Sequence, residues 1–143
     1  MRIAVMGIGG VGGYFGGKLA RRYAAGRDVE IIFVARGEHL RQIQKNGLQQ
    51  ITEEGNFAAV PDRATDQPET CGHFDLVLFC VKGYGLESSA AQIKNNVDRT
   101  STVITLLNGV DNVRPLKAVL PEARVLNGCV YIGAHIVLSL IHI

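Results

Sequence analysis

The chain has 143 residues, a length that suits one compact domain and is too short for two. Hydrophobic residues make up 47% of it and charged residues 20%, a balance typical of globular proteins that argues against a disordered chain. The formal net charge is only +2, so nucleic acid is not expected as a partner. No apolar segment reaches the ~20 residues that span a bilayer, so we expect no membrane association. The N-terminus lacks a signal-peptide pattern, which makes a cytoplasmic location the expectation.

Residues that commonly bind metals are present, but their spacing predicts no metal site. The three cysteines are Cys71, Cys80 and Cys129. The four histidines are His39, His73, His135 and His142. Neither set has zinc-type spacing, and no disulfide is expected of an intracellular domain. Each histidine is expected to be structural or exposed.

The first third of the chain predicts a strand–helix–strand unit. An apolar run over 2–6 indicates a buried strand, and 12–25 has the helix formers and apolar spacing of a helix. A second β-branched run over 29–34 indicates another buried strand. Such a unit has parallel strands and a right-handed crossover.

The remainder alternates between strand and helix patterns without a repeat or a linker. A hairpin or a pair of edge strands is predicted over 49–60, and a loop over 61–72. Helices are predicted over 38–46, 86–97 and 110–120. Strands are predicted over 75–81, 102–107 and 124–126, the last continuing through 127–136. This alternation predicts an α/β domain with an open, mostly parallel sheet and helices on both faces.

The turn after the first strand carries the motif Gly7-Ile8-Gly9-Gly10-Val11-Gly12. A GxGxxG pattern alone is a weak signal, but here it ends a strand and opens a helix, as the dinucleotide-binding fingerprint of the Rossmann fold requires. Gly7 allows the tight turn, Gly9 lets a pyrophosphate approach the backbone, and Gly12 lets the helix pack on the strand. The alternative is a glycine-rich turn that merely packs the helix.

The residue after the second strand indicates which cofactor is bound. NAD-binding domains commonly have an acidic residue there, whereas this chain has Arg36, whose guanidinium suits a 2′-phosphate. Arg36 therefore predicts NADP(H) as the cofactor. The alternative is an exposed arginine without a ligand, and the nearby Glu38 would weaken the preference if it paired with Arg36.

Two further polar residues follow apolar strands, at the edge where ligands lie in such sheets. Lys82 follows the strand predicted over 75–81, and Asn108 follows the one over 102–107. A lysine there suits a phosphate or a substrate carboxylate, and an asparagine amide suits a ribose or a substrate hydroxyl. The alternatives are a solvated lysine and a turn-forming asparagine.

Taken together, four segments resemble the N-terminal domain of the ketopantoate reductase (2-dehydropantoate 2-reductase) family. They are 3–12, 34–36, 79–82 and 107–112. The resemblance covers roughly residues 1–136. It implies an oxidoreductase that uses NADPH to reduce 2-dehydropantoate to (R)-pantoate, in pantothenate and coenzyme A biosynthesis.

The resemblance also implies roles for individual residues. The stretch from Gly7 to Gly12 would hold the pyrophosphate and Arg36 the 2′-phosphate. Lys82 and Asn108 would face the nicotinamide ribose and the substrate, with Gly133 lining the same cleft. The family's general-acid lysine and substrate-binding glutamate lie in a second, helical domain. No catalytic residue is therefore expected in this chain, and the full-length protein could form a homodimer.

These considerations predict an NADP-binding domain over 1–137, belonging to a longer protein and inactive alone. The segment 138–143 is expected to be a non-native tail; the alternative is a natural apolar strand. Two other functions stay open. One is a reductase of another small 2-oxo acid, and the other a non-catalytic NAD(P)-sensing module, which Arg36, Lys82 and Asn108 disfavour.

Overall fold

The computed structural model describes residues 1–24, 26, 28–52, 55–134 and 136. Eight strands and four α-helices lie within them. The strands are β1 (Arg2–Met6), β2 (Glu30–Val34), β3 (Leu48–Thr52), β4 (Gly55–Ala59), β5 (Arg63–Thr65), β6 (Leu76–Phe79), β7 (Thr102–Thr105) and β8 (Arg124–Asn127). The α-helices are α1 (Gly10–Tyr23), α2 (Gly37–Asn46), α3 (Leu86–Gln92) and α4 (Val113–Val119). No described helix is long and apolar enough to cross a membrane.

Six strands form one sheet in the order β5-β2-β1-β6-β7-β8, and every neighbouring pair is parallel. This order is that of a Rossmann fold, as the sequence predicts. The chain first adds strands on one side of β1 and then crosses to β6 on its other side. The carboxyl ends of β1 and β6 therefore diverge into connections on opposite faces, which opens a crevice between them.

The apolar side chains of each strand alternate between two cores. On β1, Ile3 and Val5 pack into the core beneath α1 and α2, while Ala4 and Met6 pack into the core beneath α3 and α4. All four side chains are buried. Because both faces are covered, the strands read as continuous apolar runs instead of alternating ones.

The predicted hairpin is present as an antiparallel pair, β3 and β4, separate from the main sheet. It packs against α1, and Gln50 is its buried polar residue there, with 1% of its surface exposed. The Gln50 amide nitrogen donates to the carbonyl oxygens of Gly13 and Tyr14. The hairpin thereby supports the first turns of α1.

Three sequence predictions were wrong in detail. The segment 61–72 is not all loop, because β5 pairs with β2 at the sheet edge. A polar strand of three residues between two prolines has no apolar pattern from which the pairing could be predicted. The Asp62 carboxylate stabilises the pairing of β5 with β2 by accepting a hydrogen bond of 2.7 Å from the Ile31 N–H. Residues 128–134 do not extend β8, which ends at Asn127.

The third difference concerns the helix predicted over 86–97, which ends at Gln92. Beyond it, buried Asn96 donates from its amide nitrogen to the carbonyl oxygen of Gly72 at 2.6 Å. Its backbone carbonyl accepts from the Phe74 N–H at 2.8 Å. The chain leaves the helix because these tertiary hydrogen bonds hold Asn96 beside the start of β6. His135 and the tail expected over 138–143 lie outside the described residues.

Candidate cofactor-binding site

The carboxyl ends of β1, β2 and β6 surround a cleft of about 350 Å³. One wall is the glycine turn after β1, and another is the connection from β2 to α2. The third is the segment that follows β6. Among the residues that line this cleft are Gly7, Ile8, Gly9, Arg36, His39 and Lys82.

The glycine turn has the geometry that its sequence predicts. Gly7 has a φ of +90°, a conformation that other residues rarely adopt, and its N–H donates to the Val34 carbonyl oxygen at 3.0 Å. A Cβ atom on Gly12 would overlap the Gly7 carbonyl oxygen and lie 3.0 Å from Cys80 Cβ. A Cβ atom on Gly9 would meet no atom within 4 Å. Gly7 and Gly12 are therefore required by the fold, whereas Gly9 leaves open space at the cleft.

Helix α1 begins directly at this turn, and no side chain caps its N-terminus. Its first backbone N–H groups are consequently available to an external acceptor. The helix dipole adds partial positive charge at the same end, and no acidic side chain lies in the first turn to offset it. This end of α1 suits a phosphate group.

Arg36 stands at the end of β2 and is the N-cap residue of α2. It is exposed and lines the cleft, and none of the described residues forms a hydrogen bond or an ion pair with its side chain. Glu38 binds Gln42 at 2.7 Å and Arg41 at 2.9 Å instead. These hydrogen bonds hold the pKa of the Glu38 carboxyl below its ordinary value. The guanidinium of Arg36 is therefore not neutralised by its acidic neighbour.

His39 is a cleft residue that the sequence analysis missed. Its Nε2 lies 2.7 Å from the Ile8 carbonyl oxygen. Because a carbonyl oxygen only accepts hydrogen bonds, Nε2 carries the hydrogen. The spacing of the histidines carried no signal for this contact, since it joins the first turn of α2 to the glycine turn, 31 residues apart in sequence.

Three further lining residues, Tyr84, Ser89 and Gln92, come from the segment after β6 and were also not predicted as ligands. Ser89 is buried, whereas the Tyr84 ring is almost fully exposed at the rim. They could have been predicted from their position shortly after Lys82, because the segment that follows a central strand lies beside the ligand-binding crevice.

A second cleft of about 270 Å³ adjoins the first on the side of β7. The two share Gly9, Cys80, Val81 and Lys82, and the second also includes Gly10, Val11, Asn108 and Ala134. Lys82 therefore stands where the two clefts meet. Gly133, predicted to line this cleft, is exposed and does not line it, although its neighbour Ala134 does.

The turn that contains Asn108 is stabilised by hydrogen bonds from its own Asn112 side chain. The Asn112 amide nitrogen donates to the carbonyl oxygens of Leu107, Asn108 and Gly109 at 3.2 to 3.4 Å. The side chain of Asn108 is exposed and, among the described residues, forms no hydrogen bond. It is free to meet a ligand in the second cleft.

Cys80 lies beneath both clefts and packs against the core. Burial raises the pKa of its thiol to about 12. The thiol is therefore protonated at neutral pH and unsuited to nucleophilic chemistry.

Strand order, glycine turn and open helix N-terminus define the class of this protein: a Rossmann-type dinucleotide-binding domain. A family model described as "Ketopantoate reductase PanE/ApbA" matches residues 3–137. The chain belongs to this family of oxidoreductases.

Known relatives agree with this assignment. The chain is 39% identical over 110 residues to a 2-dehydropantoate 2-reductase of Mesorhizobium japonicum, covering 77% of this chain and 32% of that protein. It is 35% identical over 132 residues to the uncharacterized oxidoreductase YkpB of Bacillus subtilis, covering 92% of this chain and 41% of the relative. The crystal structure of 2-dehydropantoate 2-reductase from Porphyromonas gingivalis W83 superposes with a TM-score of 0.90 at 39% identity, covering 99% of this chain and 50% of that one. The chain thus spans half or less of the length of these relatives.

Proposed function

We propose that this chain is the cofactor-binding half of an NADPH-dependent 2-dehydropantoate 2-reductase, which reduces its substrate to (R)-pantoate. The observation that carries the proposal is the position of Arg36. Its guanidinium has no partner among the described residues and lines the same cleft as the glycine turn. In a member of this family, that combination favours a dinucleotide with a 2′-phosphate.

The described residues fit such a cofactor along the whole groove. The uncapped start of α1 and the open space at Gly9 suit the pyrophosphate. The first cleft, with Arg36 at its edge, suits the adenosine end. The second cleft, with Lys82 and Asn108, suits the nicotinamide ribose and the substrate. When bound, the cofactor supplies the hydride that reduces the ketone.

The residues of this chain bind and orient the cofactor and the substrate. Among them, Lys82 brings positive charge to the junction of the two clefts. A substrate carboxylate at that junction would be attracted to the ammonium group. Reduction of a ketone also requires a proton on the developing alkoxide. We propose that this proton comes from a second domain of the full-length protein, as the family resemblance implies, and that the chain alone has negligible activity.

The test is an assay of the full-length gene product with NADPH and 2-dehydropantoate, following the loss of NADPH absorbance. We expect turnover with this substrate and much slower turnover with NADH. Tight NADPH binding with no turnover of 2-dehydropantoate, but turnover of another small 2-oxo acid, would support the alternative substrate. Binding without turnover of any 2-oxo acid would support a sensing module.

A further inference from the structure

The hydrogen bond between His39 and Ile8 links the first turn of α2 to the glycine turn, and both segments border the first cleft. Ile8 belongs to the glycine turn, whereas His39 is the third residue of α2, after Arg36 and Gly37. The imidazole is partly buried and itself lines the cleft. The site therefore contains a direct hydrogen bond from the start of α2, next to Arg36, to the glycine turn proposed to bind pyrophosphate.

This bond fixes the orientation of one peptide group. Among the described residues, His39 is the sole donor to the Ile8 carbonyl oxygen. The peptide between Ile8 and Gly9 is planar and trans, so its carbonyl and its N–H point in opposite directions. Holding the Ile8 carbonyl on His39 therefore directs the Gly9 N–H away from His39. No described residue accepts a hydrogen bond from that N–H.

The peptide has little else to restrain it on one side. Gly9 has no side chain, and the space where a Cβ atom would lie is open. Glycine samples backbone conformations more freely than other residues, so rotation of this peptide is inexpensive without an external restraint. On the other side the buried Ile8 side chain anchors that residue. It does not fix the direction of the Ile8 carbonyl, because the peptide group can still rotate about the bonds on either side of it.

We propose that His39 is a positioning residue for the cofactor's pyrophosphate, an inference that rests on the proposed function. By holding the Ile8 carbonyl, it keeps a partial negative charge away from the phosphates and keeps the Gly9 N–H available to them. His39 acts through the backbone of the glycine turn and does not read the 2′-phosphate. It is therefore distinct in role from Arg36, although the two lie three residues apart.

The test uses three variants of the full-length gene product. His39→Leu removes the donor, His39→Gln keeps an amide N–H near the position of Nε2, and Arg36→Ala is the matched control. Binding of NADPH, NADH and adenosine 2′-phosphate is measured by calorimetry. The last ligand has the 2′-phosphate but no pyrophosphate, so it separates the two roles.

We expect His39→Leu to weaken the binding of NADPH and of NADH by the same factor, about tenfold. This is the effect of losing one hydrogen bond to a charged group, here the bond from the Gly9 N–H to a phosphate. Adenosine 2′-phosphate should bind it as it binds the parent protein. His39→Gln should recover most of the NADPH affinity. Arg36→Ala should show the opposite pattern, with losses for both 2′-phosphorylated ligands and little loss for NADH.

Two results would overturn the inference. One is an equal loss of adenosine 2′-phosphate binding in His39→Leu, which would place His39 at the 2′-phosphate. The other is a failure of His39→Gln to recover NADPH affinity although its melting temperature matches that of the parent. A parent protein that binds neither dinucleotide would instead refute the proposed function, so the two failures are distinguishable.

Discussion

The amide nitrogen of Gln50 lies 2.5 Å from the carbonyl oxygen of Gly13, in the turn of α1 that follows the glycine motif. Its amide oxygen is buried and has no hydrogen-bond partner among the described residues. A Cβ atom on Gly17 would overlap this same side chain. The hairpin therefore supports α1 through one polar residue that fills the space left by a glycine.

This arrangement predicts that two substitutions of Gln50 of similar size will differ in their effect on stability. Gln50→Glu would place a carboxylate against two carbonyl oxygens without a donor, so we expect a loss of about 2 to 4 kcal/mol in the free energy of unfolding at pH 7. Burial would raise the pKa of that carboxyl, so the deficit should shrink as the pH falls and the group is protonated. Gln50→Met retains the volume and removes the unpaired oxygen, so we expect a change below about 1.5 kcal/mol. Urea denaturation at several pH values measures both. Equal stability of the two variants at pH 7 would contradict the contact.

The glycine turn allows structural and ligand-binding roles to be separated. Gly12→Ala places a methyl group against the Gly7 carbonyl oxygen, so we expect a loss of about 1 to 3 kcal/mol of stability. Gly9→Ala meets no protein atom, so its stability should stay within about 0.5 kcal/mol of the parent. Its methyl group would nevertheless occupy the space proposed for the pyrophosphate, and NADPH affinity should fall more than tenfold. Thermal unfolding and calorimetric titration measure the two effects. Unchanged NADPH binding by Gly9→Ala would argue against the site.

The cofactor preference depends on Arg36. Arg36→Ala should weaken NADPH binding by about 10- to 100-fold, because the charged hydrogen bonds to the 2′-phosphate are lost. NADH binding should change less than about threefold. Lys45→Ala is the control, since Lys45 is an exposed cation in the last turn of the same helix, at the opposite end from Arg36 and Glu38. Its affinity for both dinucleotides should match that of the parent. Equal losses for NADPH and NADH in Arg36→Ala would refute the assignment.

The cysteines should differ sharply in reactivity. Cys129 is exposed, whereas Cys71 is buried and the pKa of the Cys80 thiol is raised to about 12. At pH 8 we expect iodoacetamide to modify Cys129 in the native protein and all three cysteines after denaturation. Peptide mass mapping identifies the modified residues. Rapid modification of native Cys80 at pH 8 would contradict its raised pKa.

The same pKa has a consequence for stability. Unfolding returns the Cys80 thiol to its ordinary pKa of about 8.5, so the unfolded state loses the proton first as the pH rises. The folded state is therefore not penalised for burying this thiol below a pH of about 8.5. Above that pH the free energy of unfolding falls, and it continues to fall until the pH reaches the folded-state pKa of about 12. Cys80→Ala should lose less stability than the parent between pH 8 and pH 10, measured by urea denaturation. A parallel decline in both proteins would show that other groups dominate.

Much of the fold could be predicted from local sequence. The segments that form β1 and β2 are continuous apolar runs, because both faces of a parallel sheet are covered. The bounds of these strands could therefore be predicted from where the apolar runs begin and end. The turn at Gly7 was predictable for a different reason: the spacing of its glycines matches steric requirements that the structure reproduces. Arg36 could be identified by its place after β2.

What the sequence could not provide were relationships between distant segments. Strand β5 exists because Arg63–Thr65 pairs with β2, and no pattern in three residues predicts that partner. The same holds for His39, whose contact with Ile8 requires α2 to begin beside the glycine turn.

The sequence by itself determined that this chain is an α/β dinucleotide-binding domain with a glycine turn and an arginine in place of an acidic residue. Those properties are encoded in short-range spacing and apolar runs, which reflect the local geometry of strands and helices. Only the tertiary structure decided that Glu38 pairs with Arg41 and Gln42 instead of Arg36, that Lys82 lines two clefts, and that His39 hydrogen-bonds to Ile8. Hydrogen bonds and clefts of this kind depend on where separate segments meet, and that is fixed by packing across the whole sheet.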